Sequence, residues 1–208
     1  MVDSIKKRLL VEFIIIYILL PSAIIFTNTI ILKSKIIVFS SLFLVFFISI
    51  YLLKSTPNFS FKNLKKKVDW NFCLIFSLIF MVSGFLYTTI FDSELLFSLP
   101  RDFFFIWLLV LIVYPILSVV PQEIIFRVLF FERYACLFKN LSLCLIFNSL
   151  IFAYIHLVFE NFHAFFITVI TSPIFAYAYL KKSFKTCLLI HTIGGQLVFT
   201  YGLGKYFY

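Results

Sequence analysis

The sequence predicts an all-α fold, a polytopic membrane helix bundle with about seven transmembrane helices, seven to eight in all. Three observations carry that reading. Hydrophobic residues make up 63% of the 208 positions, 31 of them Phe, whereas Asp, Glu, Lys and Arg together supply only 13%. A soluble core does not need so apolar a chain. Apolar runs of about 20 residues, enough helix to cross ~30 Å of hydrocarbon, follow one another along nearly the whole length. The basic residues collect at the ends of those runs, so the formal charge of +9 reads as membrane orientation. The implied partner is the lipid bilayer, and no nucleic acid is expected.

Taken in order, the charged breaks delimit spans at about 9–32, 36–53, 70–91, 103–131, 141–159, 164–180 and 185–203 within one membrane domain, 1–208. Lys6, Lys7 and Arg8 ahead of the first run resemble the start of a signal peptide. The run is too long for one, however, and no small-residue cleavage site closes it, so it reads as a retained span. With the N-terminus in the cytoplasm, 13 Lys and Arg fall on inside segments and four on outside ones, leaving Arg127 within the bilayer. Splitting the long fourth run in two would put Lys181, Lys182 and Lys185 outside. It therefore reads as one crossing, bent or broken at Pro115 and Pro121. Thr56–Trp70, with four lysines among Phe59, Phe61, Leu64 and Trp70, fits either a segment lying on the membrane surface or an ordinary basic loop. The cysteines, Cys73, Cys136, Cys144 and Cys187, lie singly in apolar surroundings, as packing residues do.

A charge at mid-membrane costs roughly 2.5–3.5 kcal/mol on insertion scales, so the polar residues left inside need a partner or a task. Glu123 and Arg127 are four apart, sharing a helix face in the favourable acid-first order. With Pro121 at a first helical position, Glu123 would fall in the first turn, where the helix dipole favours a carboxylate. The pair alone fits a structural brace and a functional acid equally well. His156 and His191 each stand in an apolar helix, where a histidine is more often a packing residue than a ligand. Together, one carboxylate and two imidazoles on different spans can activate water and polarise a peptide carbonyl, directly or through a metal. H-E-x-x-H, G-x-S-x-G and paired intramembrane aspartates are all missing, which disfavours zincin, serine and aspartyl chemistry.

In order and spacing, QEIIFR at 122–127, FAYIH at 152–156 and HTIGG at 191–195 resemble the motifs E-E-x-x-x-R, F-x-x-x-H and H-x-x-x-N. These belong to the CPBP family of CAAX-protease and bacteriocin-processing (Abi) membrane proteins, which includes type II CAAX prenyl endopeptidases. The motifs run from about Pro115 to Tyr208, and whole spans extend the family-like core to about 103–205. The resemblance implies a bacterial inner-membrane endopeptidase acting on a membrane-associated peptide or protein. Glu123, His156 and His191 would form its hydrolytic centre, with or without a divalent metal such as zinc held by the same three, and Arg127 would be the motif arginine.

Two departures bear on activity. Gln122 stands in place of the first motif glutamate, the usual water-activating base, and an amide cannot take that proton. Gly195 stands in place of the asparagine, so an oxyanion donor is missing unless Gln196 supplies it. If Glu123 is the base, Glu123→Gln abolishes cleavage and leaves folding intact. The alternatives are a non-catalytic scaffold, immunity or partner-binding protein on the same fold, and a small proton-coupled transporter.

Overall fold

The computed structural model describes residues 2–28 and 34–207; the turn predicted after the first span, with Lys33, lies outside the described residues. Six helices are long and apolar enough to cross a membrane: α1 (Ser4–Phe26), α2 (Lys35–Lys54), α3 (Trp70–Phe91), α4 (Phe104–Leu137), α5 (Leu141–Phe159) and α6 (Phe162–Lys181). The seventh expected span is α7, Phe184–Thr200, whose 17 residues extend about 25 Å and lie at the short end of what spans hydrocarbon. No strand occurs among the described residues. The chain is an integral membrane protein with an all-α fold.

The fourth run is one continuous helix of 34 residues. Here the structure corrects the expectation that Pro121 opens a helix: Glu123 lies inside α4 and not in a first turn. The prolines are absorbed by slips in hydrogen-bond register. A π-helical stretch, Pro115–Val119, begins on the first proline, and a second, Ile124–Tyr134, follows the other. Widening the helix accommodates a ring that would strike the carbonyl four residues back, and hydrogen bonding resumes in the shifted register.

The chain divides into two compact units, Met1–Asn63 with Pro121–Tyr177, and Leu64–Val120 with Ala178–Tyr208. In the first unit the π-helical stretch is the centre, and every residue from Ile124 to Tyr134 except Glu132 is buried. Phe13, Tyr17, Phe130 and Tyr134 meet mostly edge to face at centroid separations of 5.2 to 5.8 Å. The stretch carries its own polar handles. Tyr17 Oη donates to the Ile125 carbonyl at 2.7 Å, and Asn148 Nδ2 donates to that of Phe126. Each carbonyl has a second lone pair for such a donor. At the end of the stretch, Arg133 donates to Glu12 at 2.7 and 2.9 Å and to Thr56 Oγ1 at 3.1 Å. This clamp joins the N-terminal end of α1, the segment after α2 and the C-terminal end of α4, as alternating crossings require.

In the second unit α3 starts at an Asp69 cap, whose carboxylate accepts from the Phe72 N–H at 2.9 Å and pairs with Lys182 at 2.8 Å. The Asp69 N–H donates to Thr186 Oγ1 at 2.9 Å. Trp107 Nε1 donates to Thr200 at 3.0 Å, and Lys205 pairs with Asp92 at 2.5 Å. The Lys182 hydrogen bond, then the cap, holds the Asp69 carboxyl below the ordinary aspartate range. A depressed folded value means the stabilisation is present above the unfolded value and lost as pH falls through the folded one. Asp69→Asn keeps the cap and removes the charge. Its thermal midpoint is therefore expected below that of the wild type at neutral pH and to converge with it in acid; parallel curves would contradict this.

Cys73, Cys144 and Cys187 are buried, as packing residues should be, but Cys136 is exposed, because it follows α4's buried stretch into the turn before α5. Thr56–Trp70 contains a single short 3-10 helix, Phe61–Lys65, with no buried residue.

Candidate active site

The predicted site residues of the first unit are Gln122, Glu123, Arg127 and His156. Glu123 and Arg127 form the expected ion pair, 3.8 Å from Oε2 to Nε, with both side chains 0% exposed. At that separation the contact is Coulombic and no hydrogen bond, and Nε has no hydrogen-bond partner among the described residues. The guanidinium is held otherwise. Nη2 donates to Ser172 Oγ at 3.1 Å, Nη1 reaches the Phe126 carbonyl at 3.4 Å, and the Phe152 ring lies 4.5 Å beneath.

Phe152 is also the first residue of the second motif, and its spacing to His156 has a local reason. Four residues apart on α5, the rings lie 4.7 Å apart, and His156 Nδ1 is 2.7 Å from the Phe152 carbonyl. A carbonyl only accepts, so Nδ1 carries the proton, and in the neutral ring Nε2 is the basic nitrogen. His156 falls where α5 tightens from α to 3-10 geometry, His156–Phe159, which sets its ring at the end of the helix.

A cavity of about 90 Å³ lies beside it. Its walls are mainly aliphatic and aromatic, among them Ile16, Leu20, Leu42 and Phe159, and its polar lining is Ser41, Gln122 and His156. Glu123 is not part of the lining. Adjacent residues on a helix point about 100° apart, so burying Glu123 against Arg127 turns its neighbour Gln122 to the cavity. The volume and the polar groups suit ordered water.

In the second unit His191 is 6% exposed on α7. Gly195 is one turn on, and the phenol end of Tyr114 occupies the place a Cβ there would take. Glycine is required at this position by that close approach. Gln196, the expected substitute for the asparagine, instead donates through Nε2 to the Leu111 carbonyl at 2.9 Å. One of its two amide hydrogens is thereby engaged within the helix pair.

With this geometry in hand, the comparison with known families is direct: residues 100–194 match the family model described as type II CAAX prenyl endopeptidase Rce1-like. Over this stretch, just under half of its length, the chain is similar to the CAAX-protease family. No curated protein and no solved structure matches it. The matched segment takes in all three motif regions through His191, and Gly195 and Gln196 lie just beyond its end.

No three His, Cys, Asp or Glu side chains gather as ligands among the described residues. Of the candidate residues in the first unit, Glu123 is paired with Arg127 and Gln122 is a neutral amide, so among these His156 is the ready donor and the set does not fit a divalent ion. Residues passed over in the sequence also matter to the matched segment: Tyr114, Asn148 and Ser172. Asn148 and Ser172 carried a signal, being polar in apolar spans. Tyr114 carried none beyond its type, because aromatic residues are common throughout the chain, whereas Phe152 was marked as the first position of the second motif.

Proposed function

We propose that the chain is an intramembrane endopeptidase in which His156 draws the proton from the attacking water. What carries the reading is the cavity lined by both Gln122 and a tautomer-fixed His156. In the proposed reaction, Nε2 accepts a proton as water oxygen bonds to the peptide carbonyl carbon. That proton then passes to the departing nitrogen as the C–N bond breaks. Gln122 orients the water through its amide, and Arg127 with Glu123 holds Phe152, and so His156, in position. His191 enters the proposal through its match to the third motif. The substrate is a membrane-associated peptide or protein, and the apolar cavity walls favour a hydrophobic side chain near the cleaved bond. The asymmetric distribution of Lys and Arg supports a cytoplasmic N-terminus, and the motif resemblance suggests a bacterial cell membrane.

The test uses the purified full chain in detergent with a pool of quenched-fluorescent peptides carrying a hydrophobic tail. His156→Ala and His191→Ala are each expected to lower cleavage at least ~100-fold while helix content and thermal midpoint stay near wild type. Undiminished cleavage by His156→Ala would overturn the assignment.

One observation favours a second reading, a non-catalytic binding protein on the same scaffold. The cavity presents an amide where a carboxylate base would sit, and the neighbouring carboxylate, Glu123, is turned to Arg127. This reading expects no cleavage by the wild type and tolerance of His156→Ala.

A further inference from the structure

Val38, Ser41, Leu42 and Val45 of α2 line the same cavity of about 90 Å³ as Gln122 and His156, and all six residues belong to the first unit. Their helical spacing makes the α2 residues one stripe, so Ser41 sits on the face that the helix turns to the cavity. Its hydroxyl is placed unlike those of Ser22 and Ser49. These donate to carbonyls four residues back, of Ile18 and Val45, at 2.6 and 2.7 Å. Ser41 Oγ makes no hydrogen bond among the described residues, yet the atom is not sealed from its surroundings. A hydroxyl that served only its own helix would close on the Ile37 carbonyl in the same way. Ser41 instead keeps its donor for a guest in the cavity.

We infer that the Ser41 hydroxyl donates a hydrogen bond to the peptide carbonyl oxygen as water adds to the carbonyl carbon. The inference rests on the endopeptidase reading, and it adds a residue from outside the matched segment 100–194. The roles divide by chemistry. His156 Nδ1 is held on the Phe152 carbonyl, so Nε2 accepts the proton of the water. The carbonyl oxygen gains negative charge in that same step and calls for a donor. A hydroxyl supplies one without a charge of its own, and among apolar walls such a hydrogen bond is worth more than in water. Carried on a helix and not on a loop, the donor is already in place when the charge develops.

The experiment takes one peptide that the wild-type chain cleaves, chosen from the quenched pool, and a copy with a phosphinate in place of the scissile amide to mimic the tetrahedral intermediate. Ser41→Ala removes one oxygen that no protein group uses and puts a better helix former in its place, so the thermal midpoint is expected to stay at or above that of the wild type. The variant should lower kcat about 100-fold with KM nearly unchanged. It should weaken phosphinate binding by a similar factor and change affinity for the uncleaved amide by no more than about 3-fold. Ser41→Thr, which keeps the hydroxyl, is expected to recover most of the phosphinate preference. Wild-type phosphinate preference in Ser41→Ala, or a loss that Ser41→Thr does not recover, overturns the inference and leaves the endopeptidase reading standing. If the wild-type chain cleaves no peptide in the pool, that reading fails first and the inference falls with it.

Discussion

Glu123→Gln is expected to leave little folded protein. Both partners of the Glu123–Arg127 pair are 0% exposed, and the guanidinium has Ser172, the Phe126 carbonyl and the Phe152 ring around it but no second carboxylate within ion-pair distance among the described residues. Replacing Glu123 by its amide leaves a full positive charge in an apolar interior, and breaking such a pair typically costs about 3–5 kcal/mol. That is a large share of an ordinary stability of roughly 5–15 kcal/mol. The measurement is the yield of monodisperse protein and its thermal midpoint. Removing both charges, as in Glu123→Leu with Arg127→Leu, is expected to restore much of the loss, since a buried apolar pair needs no compensation. A Glu123→Gln chain with the wild-type midpoint and no cleavage would reverse the assignment and make Glu123 the base. From sequence alone that outcome was the natural expectation. It changes because the carboxylate faces Arg127, away from the cavity.

Gln122→Glu should be the largest gain available to this chain. The substitution exchanges an amide nitrogen for an oxygen of nearly the same size, on a side chain that already lines the cavity with His156. It adds a carboxylate acceptor beside His156 where the wild type has an amide, and a positioned general base contributes typically 10²–10⁴ in rate. Cleavage of the peptide pool is expected to rise by about 100-fold or more. If the wild type is active and the variant is not faster, Gln122 does not address the water. If the wild type is inactive and the variant cleaves, the chain is a binding protein one substitution away from hydrolysis.

How far the sequence reached depends on the range of the physics involved. The spans, their approximate limits and the single fourth crossing follow from apolar run length and from where Lys and Arg cannot go, which are properties of the chain and the bilayer. The Glu123–Arg127 pair follows from a spacing of four on any helix, and the proximity of Phe152 to His156 is as local. The motifs QEIIFR, FAYIH and HTIGG pointed to the family, and the match over 100–194 agrees with that resemblance.

Other features could not be read locally. Pro121 suggested a helix start, but neighbouring packing lets α4 run through it in π-helical register, so Glu123 receives Arg127 and no free helix N-terminus. Which of Gln122 and Glu123 faces the cavity depends on the rotation of α4 against α1, α2 and α5, and a one-residue difference decides whether the chemistry meets an amide or a carboxylate. The close approach of Tyr114 to Gly195 joins residues 81 positions apart; nothing in either neighbourhood announces it. By itself, the sequence determined the membrane setting and the cast of polar residues, because burying a charge in hydrocarbon is costly wherever it occurs. Only the tertiary structure decided which of those residues share a cavity, because that depends on helix rotation and side-chain volume, set by contacts between segments far apart in the chain.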